Sequence, residues 1–129
     1  MSRLRLSVIV IFILLLLGSG AYVFAPHEET AAVGMPLGEA VYVTRTGEGY
    51  VPREITINKG DVVIWQNESG QFHWPASDIH PTHSIYSDFD PRRPVADDEE
   101  WSFQFLKAGT WKYHDHLRAN LTGMITVTE

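Results

Sequence analysis

The chain has 129 residues and no cysteine, which leaves room for one small domain beyond a leader and excludes disulfides, iron–sulfur clusters, thiolate zinc sites, thiol catalysis and thiolate-ligated copper. Its 44% hydrophobic and 20% charged residues are a globular mixture, so coiled-coil, collagen-like and largely disordered organisations are excluded as well. Ten basic residues stand against sixteen acidic ones, an acidic balance that makes nucleic acid a poor partner.

Arg3 and Arg5 precede an apolar stretch from Leu6 to Ala25 that only Ser7, Gly18, Ser19 and Gly20 interrupt. As a helix it reaches about 30 Å, one hydrocarbon thickness, whereas a cleavable signal has an apolar core of only about 7 to 15 residues. The length favours a retained N-terminal transmembrane anchor. Val8–Leu17 alone would also serve as a signal core, with Gly18-Ser19-Gly20 open to a peptidase, and the domain is then secreted. In both cases the arginines hold the N-terminus in the cytoplasm and the remainder is exported to the extracytoplasmic face of the plasma membrane, periplasm or cell surface. No cysteine follows for a lipid anchor. Without Arg3 and Arg5 the rest of the chain has eight basic residues against sixteen acidic ones, a formal charge of −8.

Residues 26–38 show neither a helical nor a strand period and read as a linker; residues 39–129 read as the domain. Within it Val41–Thr44, Ile55–Ile57 and Val62–Asn67 alternate or run apolar with β-branched residues, and Gly-containing turns lie between them at Thr46–Tyr50 and Lys59-Gly60-Asp61. Farther on, Trp101, Phe103 and Phe105 share one face, Lys107-Ala108-Gly109 turns, and TWKYH and GMITVT follow as strands. Six or seven strands in about 90 residues indicate an all-β sandwich. Trp65, Trp101 and Trp111 fall at inward positions and are expected in its core. Glu68–Asp98 resists this pattern. It reads as a long loop, holding four of the seven prolines and three of the six histidines, and loops of that length in small domains are functional or disordered.

GYVPREITINKGDVVIWQNES resembles the opening of a cupredoxin, and EEWSFQFLKAGTWKYHDHLRANLTGMITV is similar to the close of one, where a Gly-x-aromatic hairpin and a final Gly-x-apolar strand flank the copper-binding loop. The two stretches span Glu39–Glu129 in the right order. The resemblance implies a Greek-key β-sandwich, preceded here by one N-terminal membrane-targeting helix, that handles copper or electrons. It also implies ligand positions. The upstream histidine falls on His73. The cysteine position holds Asp115, the second histidine falls near Leu117 or Arg118, and the axial methionine falls on Leu121. With the thiolate gone, this is an atypical member that lacks a blue copper site.

The same region is nevertheless rich in imidazole, with His73, His80 and His83 in the long loop and His114, Asp115 and His116 near the close. Nitrogen and carboxylate donors without sulfur suit copper(II), then zinc. The expected metal ligands are His73, His83, His114, Asp115 and His116. His73 leads, as the one ligand kept from the family pattern; His80 is expected to be a bystander and His27, in the linker, irrelevant. Residues two apart on a strand share a face, so two arrangements stay open. Either Asp115 points inward with His73 and a loop imidazole, or the strand bulges or stops near Tyr113, so that His114 and His116 both reach the site with Asp115 behind them. Trp74, beside His73, is expected to cover a metal, meet a partner or simply pack. Two functions follow: copper handling or redox exchange with a protein partner, or a metal-free cupredoxin-like module that binds another protein. An enzyme is less favoured, because neither a Ser-His-Asp order nor a phosphate loop is present.

Overall fold

The computed structural model describes residues 38–129. The expected N-terminal membrane helix and nearly all of the linker lie outside the described residues; among these, no helix is long and apolar enough to cross a membrane. Eight strands follow in order: β1 (Ala40–Arg45), β2 (Tyr50–Val51), β3 (Glu54–Asn58), β4 (Val62–Asn67), β5 (Pro75–Ser77), β6 (Glu100–Gln104), β7 (Gly109–Asp115) and β8 (Arg118–Thr128), with one 3-10 turn at Ser84–Tyr86. They form two four-stranded sheets, ordered β2-β1-β4-β6 and β3-β8-β7-β5. The β1/β4 and β3/β8 pairs are parallel and the others antiparallel. The all-β sandwich expected from the two-residue period is present.

That period also sets the core. In β4 the alternation buries Val63, Trp65 and Asn67, and in β1 it buries Val43 and Arg45. Trp65 is fully buried and meets the rings of Trp101 at 5.2 Å and Tyr113 at 5.6 Å. Trp101 and Trp111 are partly buried and packed against this cluster. Across the hairpin, Tyr113 pairs with Gly123, and a Cβ at Gly123 would run into the Tyr113 ring, which accounts for the glycine opening the final apolar run.

Glu68–Asp98 is more ordered than a long loop. It contributes β5 at the edge of one sheet, and it inserts Tyr86, Phe89 and Val95 into the interior. Phe89 stacks on Phe103 at 5.4 Å and meets Trp65 at 5.0 Å. The period-two pattern missed this segment because single aromatic anchors, not alternation, hold it. Asn67 fastens its two ends together, its side-chain amide donating to the carbonyls of Gln71 at 2.7 Å, Val95 at 3.2 Å and Ala96 at 2.8 Å. Removing a buried amide with several partners leaves acceptors unpaired. Asn67→Ala is therefore expected to lower stability by about 2 kcal/mol, read as a lower midpoint in urea unfolding; an unchanged midpoint would show that the loop is held without it.

Candidate metal centre

Two polar groups lie at the edge of the hydrophobic core. The inner one is built on inward strand positions. Arg45 ends the Val41, Val43, Arg45 alternation of β1 and is 1% exposed, with its Nε 3.5 Å from Oδ2 of the fully buried Asp115. Its guanidinium lies 5.9 Å from the centre of the Tyr50 ring, and the Tyr50 hydroxyl is 3.5 Å from Nδ1 of His73. Burial, reinforced by the Arg45 charge and only partly opposed by Asp115, lowers the pKa of His73 from its ordinary 6.5 to about 4. Its ring is thus neutral at physiological pH. Asp115 Oδ1 accepts from the amides of Trp74 and Leu117, both at 3.0 Å. That carboxylate is committed to two amides and two guanidinium groups, Arg118 Nη1 lying 3.6 Å from the same Oδ2, so the cations beside it are ones the chain supplies itself.

The outer group is made of imidazoles. His80, His83, His114 and His116 each offer a ring nitrogen, and these atoms all lie within 4.8 Å of one another. His83 Nε2 is 2.9 Å from His116 Nδ1, and His80 Nδ1 is 3.3 Å from His114 Nε2. Four nitrogens around one metal at about 2.0 Å are separated by roughly 3 to 4 Å, so the group matches a single ion with little movement. Two rings are fixed from behind by carboxylates. Asp90 Oδ2 is 2.6 Å from His83 Nδ1, and Asp78 Oδ1 is 2.7 Å from His114 Nδ1. An ionised carboxylate only accepts, so both Nδ1 atoms carry the proton and both Nε2 lone pairs face the group. This is the arrangement in which an outer carboxylate orients an imidazole ligand and raises its basicity.

Burial raises the pKa of Asp90, but hydrogen bonds from His83, the Trp74 indole and the Arg92 amide outweigh it and keep the carboxyl below its ordinary range. Asp90 therefore stays ionised. His116 is shifted down by burial and by the neighbouring imidazoles, which disfavour a second positive charge.

The fold brings these rings together by one irregularity. A register shift in the β7/β8 pairing falls between His114 and Asp115, so strict alternation stops there. His114 stays on β7 opposite Ala76, Asp115 turns to the inner group, and the His116 amide donates to the Trp74 carbonyl at 2.8 Å. Features of both arrangements left open by the sequence are present: Asp115 points inward into the group of His73, and the register shift lets His114 and His116 both reach the outer group. The group thus unites His83, His114 and His116 with His80, which the sequence had set aside as a bystander. His73 and Asp115 belong to the inner group. Trp74 packs its ring 4.7 Å from that of His116 and donates from Nε1 to Asp90 at 2.7 Å. Asp78 and Asp90 were missed. Asp90 lies in the Glu68–Asp98 segment, where no strand period marks a position, and no spacing rule links either carboxylate to a histidine.

No family model and no curated protein matches the chain. Among solved structures, it is similar to a purple cupredoxin from Nitrosopumilus maritimus at 20% identity and a TM-score of 0.60, covering 68% of this chain and 99% of that one. It is similar to a mutant amicyanin in its reduced state at 21% identity and a TM-score of 0.60, covering 69% and 82%. A mutant fern plastocyanin aligns at 19% identity and a TM-score of 0.57, covering 68% and 100%. The chain has the cupredoxin fold.

The His73 shift has a thermodynamic consequence. The unfolded chain binds a proton at His73 below about pH 6.5, whereas the folded chain binds it only near pH 4, so stability is complete above pH 6.5 and is lost as pH falls from there toward 4. The loss attributable to His73 is on the order of 3 kcal/mol. Urea unfolding at pH 7 and pH 4 should show it for the metal-free protein, and a stability that is flat over this range would contradict the assignment.

Proposed function

We propose that this protein binds copper(II) through His80, His83, His114 and His116, as an exported protein held at the extracytoplasmic membrane face by its N-terminal segment, for copper handling or redox exchange with a protein partner. The observation that carries the reading is the convergence of four imidazole nitrogens within 4.8 Å, two of them aimed by carboxylates. Imidazole donors favour copper(II) over zinc by the Irving–Williams order. Two of the structures that share the fold are described as copper proteins, a mutant amicyanin with Cu(I) and a Cu-containing nitrite reductase from Thermus scotoductus SA-01. The membrane placement rests on the apolar run from Leu6 to Ala25 behind Arg3 and Arg5.

Bound copper would supply one-electron exchange or a transferable ion, and the chain's own contribution is to orient the donors. Asp78 and Asp90 bring two negative charges behind His114 and His83, so a divalent ion among neutral imidazoles is compensated. This favours the oxidised ion over the monovalent one. Asp115 supports the site indirectly, by accepting from the amides of Trp74 and Leu117, the residue after His116.

Isothermal titration of the full chain with copper(II) should show one equivalent bound, with weak colour only and no intense orange-red absorption, because no thiolate is present. His114→Ala should abolish tight binding, whereas His73→Gln should retain it. Affinity should fall as pH drops from about 7 toward 5, since protons compete for the rings. If the parent takes up neither copper nor zinc, the metal-free protein-interaction module replaces this reading.

A further inference from the structure

We infer that His80 is the exchangeable member of the four, and that its place at the rim is a coordination position open to an external imidazole donor. The inference rests on the metal reading above and adds which ligand leaves and what chemistry replaces it.

The four rings are anchored very unequally. His83 is 5% exposed, its Nδ1 is held by Asp90, its amide donates to the Ile79 carbonyl at 2.7 Å, and its carbonyl accepts from the Ser77 hydroxyl at 3.0 Å. His114 is 2% exposed, sits inside the β5/β7/β8 ladder and is held by Asp78. His116 is fixed by its amide bond to Trp74 and by packing on the Trp74 ring. His80 is exposed. Among the described residues its ring has one hydrogen bond, from Nδ1 to His114 Nε2 at 3.3 Å, and no carboxylate backs it. That bond is one a metal would replace. Three donors are therefore preorganised and the fourth must be ordered each time it binds, at a cost in side-chain entropy that the others have already met in folding. Three fixed protein ligands with a replaceable fourth is also the pattern that separates reactive metal sites from closed structural ones.

The surroundings select the incoming group. A donor in the place of the His80 ring would sit where that ring now lies, 5.2 Å from His114 and 4.9 Å from His116 between centroids, a space shaped for a flat heterocycle. Asp78 and Asp90 put negative charge behind the site, which opposes an anion. Beside the rim lie Ile79, 62% exposed, and Leu117, 44% exposed, next in sequence to His80 and His116, which favour an uncharged, partly apolar group. A neutral imidazole meets all three conditions. In the exchange one metal–nitrogen bond breaks as another forms, with no change of oxidation state.

The test uses the full chain loaded with one equivalent of copper(II), followed by electron paramagnetic resonance and by chelator competition. His80→Ala should keep its copper with an affinity about tenfold lower, against about 100-fold or more for His114→Ala. Millimolar imidazole should restore the parent spectrum to His80→Ala, azide should not, and neither should restore His114→Ala. His80→Gln, which keeps the polarity and size of the residue, should behave as His80→Ala does. Loss of copper from both His80 variants as complete as from His114→Ala would overturn the inference, because His80 would then be as fixed as the rest. A parent-like spectrum in His80→Ala without added imidazole would also overturn it, since His80 would not be a ligand. Rescue by azide equal to that by imidazole would contradict the assigned donor class. A parent that binds no copper would reject the underlying metal reading, and this inference with it, before any variant is compared.

Discussion

The bonds that His83 donates to Asp90 and His114 donates to Asp78 are the constraint on which the candidate site depends. Each fixes a proton on the outer nitrogen of a buried imidazole, and each thereby turns a lone pair inward. Two inward lone pairs need a donor or a cation. Without metal, the Nδ1 protons of His116 and His80 meet that need, across 2.9 Å and 3.3 Å. A metal ion would take the place of both bonds, with the Nδ1 atoms of His116 and His80 then free to act as donors. The four rings are thus paired with one another in the metal-free site.

The sandwich serves this site through features that are not part of the strand pattern. Tyr86 and Phe89 are buried in the core from a segment with little regular structure, and they hold His83, three residues before one, and Asp90, immediately after the other. The register shift at His114/Asp115 sends consecutive side chains to different places. One of these is the imidazole group. The other is the buried pairing of Asp115 with Arg45. A single-residue irregularity therefore separates the imidazole group from one that faces an internal guanidinium.

Most of the fold was legible in the sequence, because alternation along Val62–Asn67 and Trp101–Phe105 reports directly which face is buried. The outer histidines were legible as a cluster, since five of the six fall in two short segments. Their division was not. The family pattern pointed to His73 and Asp115, but Arg45, whose inward position follows from its spacing behind Val41 and Val43, supplies a cation beside Asp115. Asp78 and Asp90 were invisible for a different reason: their partners lie 36 and 7 residues away, brought into reach only by the fold. His80 was set aside because a lone loop histidine is commonly solvated, and nothing local shows that β7 presents His114 opposite it.

X-ray absorption at the copper edge of the full chain loaded with one equivalent of copper(II) tests the central claim most directly, because multiple scattering from imidazole rings counts the histidines on the metal. The account predicts three to four imidazoles with nitrogen at about 2.0 Å and no sulfur shell near about 2.3 Å. A first shell made mainly of oxygen, with one imidazole or none, would contradict it.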